Sequence, residues 1–585
     1  MPEKVGSVGL PQSASKGIAV AIPAASAQSH AAPGLTQWVM GRPGNEMSAT
    51  TGLVNGKAAS VPLTLSLKKG ATYSFTGAYG YSYTGKSAPV VTMTLTDGQG
   101  KVVSSSKGNA LTYVATADGD FTITMAITTA KGFMAQFTNY KLNANQTLSK
   151  LPVSSGDKNV DAVLAGGSNW WHDAGNLATP TNTLISPTIK QLSGARSSIS
   201  YGFLSGNESY LSTADKKNFE AIQPLQKTAI KSAFDYLSGL INVDFVLDND
   251  HADIRFGNND QSSSAGYATY PSTDPNRPSI LMLDNSNNDQ NKGGNLAVMG
   301  SYGWETLIHE IGHTMGLKHP GAYNAGGGTT AGPYLPQPIE NRAMTIMSYN
   351  NPLASNLVTL TGTTTANAYT LRTDISAANP VTYQTLDIAA LQYIYGANTN
   401  TTAAEVSIKD NFQTFQTLWA PTGVTLNASE TTRENLFDLR AGGYSSVSVR
   451  TEADQLAGFK SQLLAQGFDQ SKASAAASSV MSSLKTKKAD VTLYNGKNAL
   501  ALSYGSKVSA VVGGSAADKF YASNYDTEID GGEGTDTLYL QGTAKDWTID
   551  RDRGLATAIT GGAKIKFRSI EAISYYKANT ALLHA

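Results

Sequence analysis

The sequence predicts an α+β protein with an N-terminal β-sandwich, a central domain that mixes helices and strands, and a C-terminal parallel β-roll. Three observations support this architecture: strands of period two before residue 150, three histidines within residues 309–319, and a nine-residue glycine repeat between residues 513 and 539. At 585 residues the chain is long enough for several domains. We predict the divisions 1–45, 46–150, 151–397 and 398–585, with a helical insertion at 453–487.

Composition excludes several classes of function. The 44 basic and 44 acidic residues cancel, and the pI is about 7.1, so no basic surface for nucleic acid is predicted. No apolar run approaches the roughly 20 residues that span a bilayer, so no membrane span is predicted. Cysteine is absent, which leaves core packing and bound metals as the sources of stability.

The N-terminal part changes character near residue 46. Residues 1–45 are rich in Ala, Ser, Gly and Pro, which predicts a disordered leader or prosegment. Segments 61–67, 90–95 and 121–125 alternate apolar and polar residues and are separated by Asp/Gly turns. They predict an accessory β-sandwich over 46–150. Two roles stay open for it, a folding or spacer module and a substrate-binding module.

The central part combines helices with strands. Within residues 215–239, apolar side chains recur at three- and four-residue steps, which predicts a helix with one buried face: Ile222, Leu225, Ala229, Ala233 and Leu237. Segments 252–257 and 279–284 read as strands. Residues 386–396 predict another helix with Gly396 as its stop signal, for which we expect a packing role only.

The most informative segment is residues 309–319, which spell H-E-x-x-H-x-x-G-x-x-H. His309 and His313 are four apart, so on a helix they face the same way and share one zinc. Glu310 leaves the helix at another angle, where a general base belongs. Gly316 ends the helix and turns the chain so that His319 becomes the third ligand. Three imidazoles leave a coordination position for water, as in catalytic zinc sites.

An alternative is that these are ordinary surface histidines. It is uneconomical, because the whole chain has seven histidines and three of them fall in this window at ligand spacing. The long motif is also far more specific than a bare H-E-x-x-H.

Downstream, residues 345–349 (Thr-Ile-Met-Ser-Tyr) resemble the Met-turn of the metzincin metalloproteases. Pro320 directly after the third histidine and the Met-Ser-Tyr form of the turn resemble the serralysin subfamily, peptidase family M10. The resemblance implies that Met347 forms the base of the metal site. It also implies that the Tyr349 phenol approaches the zinc and stabilises the oxyanion of a tetrahedral intermediate.

The resemblance implies a metzincin catalytic domain and a secreted, extracellular zinc metalloendopeptidase that hydrolyses protein or peptide substrates. It implies export through a type I secretion system. In metzincins the strand before the zinc helix is a sheet edge that the substrate joins as an extra strand. Segment 279–284 stands in that order along the chain, so we predict that it binds substrate through Ile280, Leu281 and Met282.

The C-terminal part contains a calcium-type repeat. Residues 531–539 match the nonapeptide G-G-x-G-x-D-x-U-x of RTX β-rolls, and residues 513–521 match it except at Ala516. Phe520, Ile529 and Leu538 recur every nine residues, as inward side chains of a parallel coil should. Turns eighteen residues apart would stack, which predicts a calcium site from these residues: Gly513, Asp518, Gly531, Gly532, Gly534 and Asp536.

Two other functions stay open. One is a calcium-dependent adhesin or surface-associated binding protein that keeps an inactive protease scaffold. The other is a degenerate protease that only binds. Glu310 argues against the adhesin, because a structural zinc needs no such carboxylate.

Overall fold

A computed structural model of the chain describes residues 47–48, 54–55, 59–67, 72–117, 119–130, 134–146, 148–150, 155–165, 169–173, 197–249, 252–262, 264–271, 278–285, 294–324, 328–366, 368–401, 405–486 and 492–577. The predicted leader, residues 1–45, lies outside the described residues. Within these ranges no helix is both long and apolar enough to cross a lipid bilayer.

The first part of the chain forms two antiparallel sheets. One contains β1 (Met47–Ser48), β2 (Val54–Asn55), β4 (Thr72–Tyr83), β7 (Ala110–Val114) and β9 (Met134–Gln146). The other has the order β3 (Ala59–Leu67), β8 (Gly119–Thr128), β5 (Val90–Asp97) and β6 (Val102–Lys107). Tyr73 and Phe75 of the first sheet share one buried cluster with Met93 and Ile123 of the second. The three strand segments read from the sequence lie within β3, β5 and β8.

A five-stranded sheet forms the centre of the next part. Its order is β13 (Val243–Leu247), β12 (Ser197–Phe203), β14 (Ile254–Asn259), β16 (Ser279–Asp284) and β15 (Gly266–Ala268). All neighbours pair in parallel except β15, which is antiparallel to β16. The associated helices are α1 (Lys158–Asp161), α2 (Pro224–Leu240), α3 (Tyr302–Thr314), α4 (Thr385–Tyr395) and the 3₁₀ turn Gly294–Ala297. Two small pairs complete it: β10 (Leu148–Lys150) with β11 (Asn169–Asp173), and β17 (Asn356–Thr364) with β18 (Tyr369–Ala377).

The structure corrects the start of the first long helix. Helix α2 begins at Pro224 rather than at residue 215, with proline in its first turn and a capping box between Gln223 and Gln226. Residue Ile222 therefore precedes the helix, although it is buried, and Leu225 is 56% exposed. The three- and four-residue spacing of apolar side chains begins before Pro224, but the helix itself begins at this proline.

The predicted substrate strand is also wrong. Strand β16 lies between β14 and β15, so it is an interior strand. Ile280, Leu281 and Met282 are at most 9% exposed and belong to the core. Among the described strands, the edge on this side of the sheet is β15, three residues long. The order of strands along the chain does not predict their order in the sheet. β15 precedes β16 in the sequence, but in the sheet it lies on the far side of β16 from β14.

The last part of the chain, here called the C-terminal coil (residues 405–577), alternates between sheets. One sheet has the order β19 (Val406–Lys409), β21 (Val424–Glu430), β25 (Val508–Val512), β27 (Thr527–Asp530), β31 (Lys564–Arg568), β30 (Leu555–Ala558) and β29 (Trp547–Asp550). A second has β22 (Leu436–Asp438), β26 (Lys519–Tyr521), β28 (Thr537–Gln541) and β32 (Ala572–Tyr576), all parallel. A third has β20 (Gln416–Leu418), β24 (Leu500–Leu502) and β23 (Tyr444–Ser445), and Ala544–Asp546 is a 3₁₀ turn.

Register in the coil follows the nine-residue spacing. Phe520 pairs with Leu538 in one sheet, while Ile529 pairs with Val511 in the other, and all four are buried. Successive repeats therefore alternate between two sheets, and every second repeat stacks. The residues read as a helical insertion form two helices, α5 (Glu452–Leu464) and α6 (Gln470–Thr486).

One apolar core joins the central part to the coil. Phe234 of α2, Trp304 of α3 and Leu391 of α4 belong to the same buried cluster as Phe437 and Phe520 of the coil. This continuous packing gives α3 a rigid setting, which is what a precise arrangement of side chains on it requires.

Candidate active site

Helix α3 carries His309 and His313 in a fully buried setting. Ser301 caps the helix, its Oγ accepting the backbone N–H of Trp304 at 3.0 Å. All residues from 303 to 314 are buried. The two histidines are one turn apart and therefore project from the same face of a buried helix.

The chain reverses at Gly316, as predicted. Gly316 has φ +93°, a left-handed conformation that glycine adopts with little strain. The N–H of Leu317 then donates to the carbonyl of Gly312 at 2.9 Å, as in a Schellman C-cap. This turn brings His319 back toward the helix.

The three imidazoles converge. His319 Nε2 lies 3.2 Å from Nε2 of His309 and 3.2 Å from Nε2 of His313. The Nδ1 atoms of His309 and His313 each lie against a backbone carbonyl, of Ile346 at 2.9 Å and Leu317 at 2.8 Å. Because a carbonyl only accepts, each Nδ1 donates, and the Nε2 atoms of these two rings present lone pairs to the shared space.

Burial keeps these rings neutral. It lowers the pKa of His313 to about 4 and that of His319 to about 3, with the neighbouring His313 contributing to the latter. The pKa of His309 is also far below its ordinary value, first through burial and then through the other two histidines. Neutral imidazole is the form that binds a metal.

The arrangement fits zinc. A tetrahedral ion with Zn–N bonds of 2.0–2.1 Å separates its ligand nitrogens by about 3.3 Å, close to the 3.2 Å found here. Among the described residues, His309, His313 and His319 are the group of three or more metal-binding side chains that lies close enough to hold an ion.

Glu310 lies beside this cluster and is 6% exposed. Its Oε2 has no hydrogen-bond partner within the described part of the chain. Burial raises the pKa of Glu310 to about 8, and a divalent cation at the histidines would oppose that rise. An unpaired carboxylate oxygen at this place is suited to hold a water molecule and take its proton.

Met347 lies beneath the helix. It is fully buried, and a Cβ added to Gly312 would come within 2.9 Å of its Sδ. Because Gly312 has no side chain, the Met-turn can pack closely against α3. Sequence reasoning named Met347 and missed Gly312, which the motif treats as a variable position.

Gly312→Ala is expected to lower the free energy of unfolding by about 1–3 kcal/mol, because the methyl group overpacks the contact with Met347. Thermal unfolding measures this, and zinc affinity should fall as the histidine geometry shifts. Gly458→Ala in α5 is the matched control, since a Cβ there meets nothing within 4 Å. The control should gain about 0.5–1 kcal/mol from helix propensity. Equal responses of the two variants would contradict the contact.

Tyr349 stands at the mouth of the site, 42% exposed. Its ring centroid is 4.5 Å from that of His319 and 4.9 Å from that of Tyr323. Burial and then the charge of Glu310 raise the pKa of Tyr349 to about 12, so the phenol keeps its proton. A protonated phenol is a hydrogen-bond donor beside the histidine cluster.

Tyr323 and Glu340 hold this tyrosine in place, and neither belongs to a motif that could have been recognised. The backbone N–H of Tyr349 donates to the Tyr323 hydroxyl at 3.1 Å. That hydroxyl donates to Glu340 at 2.5 Å, and Ser348 donates to the same carboxylate oxygen at 2.6 Å. The Met-turn is thus fixed to the loop after His319.

Helix α4, expected to serve packing only, also positions the site. Asp387 accepts the Thr345 hydroxyl at 2.5 Å and the Ile346 N–H at 2.7 Å. The Ile346 carbonyl in turn orients His309. A fully buried carboxylate at the start of this helix therefore acts on the first histidine through one residue, Ile346.

Lys318 is a further residue that the motif did not mark. Its ammonium is buried and donates to the carbonyls of Ala162 at 2.7 Å and Pro333 at 3.0 Å. These two hydrogen bonds hold the segments around Ala162 and Pro333 against the chain just before His319.

Comparisons with known proteins identify a likeness to metalloproteases. No protein-family profile matches the chain. A serralysin from Proteus mirabilis is 29% identical over 288 residues, which is 44% of this chain and 55% of that protein. Metallopeptidase AprA from Pseudomonas marginalis is 32% identical over 222 residues, 37% of this chain and 43% of that protein. Serralysin C from Dickeya chrysanthemi is 40% identical over 100 residues, 17% of this chain and 18% of that protein.

The chain is similar to serralysins. It spans about half the length of the curated relatives it matches, 55% and 43% for the first two. The name of the second relative, metallopeptidase, includes a metal and a peptidase activity, in agreement with the histidine triad. Among solved structures, a chain of the glycosylation-associated Gap123 complex of Streptococcus agalactiae aligns at a TM-score of 0.13 and 12% identity, too low for any argument.

The predicted calcium residues form stacked loops in the C-terminal coil. Asp518 Oδ1 accepts the N–H of Asn435 at 2.7 Å, and Asp536 Oδ1 accepts the N–H of Asp518 at 2.7 Å. Glu571 accepts the N–H of Asp536 at 2.6 Å. Each carboxylate thus caps the backbone of the preceding loop, in a series here called the carboxylate ladder.

Glycines let these loops stack closely. A Cβ at Gly513 or Gly531 would overlap the carbonyl of the next loop, and one at Gly532 or Gly534 the carbonyl of the loop before. Asp518 Oδ2 accepts the N–H of Gly514 at 2.7 Å. Of the four carboxylate oxygens of Asp518 and Asp536, only Asp536 Oδ2 is buried with no partner in the described residues. Calcium takes six to eight oxygens, so the carboxylates of Asp518 and Asp536 alone would not complete its shell.

Proposed function

We propose that the protein is a zinc metalloendopeptidase of the serralysin type that hydrolyses protein or peptide substrates. One observation carries the proposal: three buried imidazole nitrogens converge at 3.2 Å beside a buried carboxylate with an unpaired oxygen. His309, His313 and His319 would hold the zinc. Zinc bound there would lower the pKa of water and polarise the substrate carbonyl.

The chain's own residues supply the proton transfers. Glu310 accepts the proton of the attacking water through its unpaired oxygen. It then delivers that proton to the leaving amine as the peptide bond breaks. The Tyr349 phenol, protonated at neutral pH, donates a hydrogen bond to the developing oxyanion.

Substrate backbone is proposed to pair with the free edge of β15 rather than with β16. Gly266 of β15 lies against Glu310, since a Cβ there would come within 3.0 Å of its Cγ. A peptide extended along this edge would pass directly in front of the general base. β-Augmentation holds a substrate by main-chain hydrogen bonds whatever its side chains.

Digestion of a mixed peptide library by the purified protein tests the proposal. With zinc we expect internal cleavage, and with a chelator we expect none. Zinc-loaded protein that cleaves neither the library nor a denatured protein would overturn it. We propose the extracellular location and the export through a type I secretion system from the resemblance alone. Secretion of the protein from a host with and without such a secretion system tests both.

We propose calcium only as a weakly bound ion, held by Asp536 Oδ2 and the stacked glycine loops. Because the carboxylate ladder already uses the other three oxygens of Asp518 and Asp536, we expect folding without calcium. Dialysis into zinc-containing, calcium-free buffer should leave the melting temperature nearly unchanged. A large fall, restored by calcium, would show that a cation and not the ladder holds these loops.

A further inference from the structure

A cavity of about 240 Å³ opens beside the proposed general base. Helix α3 contributes His309, Glu310 and, one helical turn before His309, Glu305 to its lining. Arg342, Tyr349 and Gly266 at the start of β15 also line it. A substrate along β15 would place a side chain next to the scissile bond over this opening.

The cavity contains a buried ion pair with unused hydrogen-bonding capacity. Arg342 Nη1 lies 3.2 Å from Glu305 Oε1, and the side chain of Glu305 is 6% exposed. Glu305 Oε2 and Arg342 Nε are both buried with no hydrogen-bond partner among the described residues. One is an acceptor and the other a donor, and both belong to residues that line the same space.

Buried polar atoms without hydrogen-bond partners destabilise a protein, because they have lost water without gaining a replacement partner. Two hydroxyls of the lining already donate to protein acceptors, Thr306 to the Tyr302 carbonyl and Ser348 to Glu340. The cavity is therefore incomplete until a ligand brings both a donor and an acceptor.

We infer, on the basis of the proposed function, that this cavity selects a substrate residue with a carboxamide side chain, glutamine or asparagine, next to the scissile bond. Its N–H₂ would donate to Glu305 Oε2 and its carbonyl would accept from Arg342 Nε. A site that hydrogen-bonds a substrate group discriminates strongly against analogues without it.

Other side chains match less well. A leucine or methionine would cover both atoms without satisfying them. A lysine would meet the Arg342 guanidinium, and a glutamate would meet the Glu305 carboxylate, so each brings a like charge into a buried space. The chemistry of the pair thus favours a neutral group with both hydrogen-bonding capacities.

Zinc-loaded wild-type protein tests this with peptides that differ only at the residues flanking the cleaved bond, each position carrying Gln, Leu, Glu or Lys. At one of the two positions we expect kcat/KM for Gln to exceed that for Leu by at least about 10-fold, because one hydrogen bond accounts for about that factor and Leu loses both. In Glu305→Met the ratio should fall to unity or invert. Glu305→Gln keeps the volume and a bond to Arg342, and should lower the ratio if the methionine variant does not fold.

Equal or better cleavage of the Leu peptide at both positions overturns the inference, as does an unchanged ratio in the folded variants. Those outcomes leave the proposed function standing. Absence of any hydrolysis by the zinc-loaded wild type instead overturns the proposed function itself.

Discussion

Glu310→Gln is expected to lower the kcat of peptide hydrolysis by about 10²–10⁴-fold while the protein keeps its zinc. Glutamine has nearly the same shape, so the packing around α3 is preserved. Its amide cannot accept the proton of the attacking water at neutral pH. Kinetics on a cleaved peptide and metal analysis of the same preparation measure both quantities.

Glu452→Gln is the matched control, because Glu452 is exposed at the start of α5 and pairs with an exposed lysine, Lys485. Its activity should equal that of the wild type. Full activity of Glu310→Gln would remove the carboxylate from the mechanism. A binding protein or adhesin with an inactive protease scaffold predicts a different pattern, in which the wild type cleaves nothing and neither substitution alters binding.

His319→Ala is expected to abolish measurable hydrolysis and to weaken zinc binding by at least about 100-fold. Loss of an outer-shell partner alone costs 10- to 100-fold, and this change removes a proposed ligand. His319 also supplies the nitrogen that lies 3.2 Å from each of the other two. Zinc competition with a chromogenic chelator gives the affinity.

Chelated wild-type protein is the reference for that variant. If His319→Ala has the same melting temperature as the metal-free wild type, the change acts through the metal and not through misfolding. Stoichiometric zinc together with hydrolysis in the variant would contradict the assignment of His319 as a ligand.

Local spacing made much of this site predictable. His309, Glu310 and His313 lie within a single helix, and Gly316 is the residue type that a left-handed helix end requires, so sequence spacing translates directly into geometry. The nine-residue register of the C-terminal coil is equally local, and its apolar positions are buried where predicted.

Long-range contacts were not predictable. Asp387 meets the Met-turn about 40 positions away, and Glu340 and Arg342 approach the site from an irregular loop without any period. The edge strand β15 has three residues, too few for a periodic signal. The domain divisions at residues 45, 150 and 397 remain predictions.

Calcium shows another limit of sequence reasoning. The glycine repeat correctly indicates close stacking of loops, because a Cβ at these positions would overlap backbone. It does not say what satisfies the carboxylates. In the structure, backbone N–H groups donate to both carboxylate oxygens of Asp518 and to one of the two of Asp536.

The central claim is that one zinc on His309, His313 and His319 generates the peptidase activity. Its most direct test is a zinc titration of metal-free protein while hydrolysis of a cleavable peptide is followed. Activity should start near zero, rise linearly and reach a plateau at one equivalent of zinc. Hydrolysis without metal, or one equivalent of bound zinc without hydrolysis, would contradict the account.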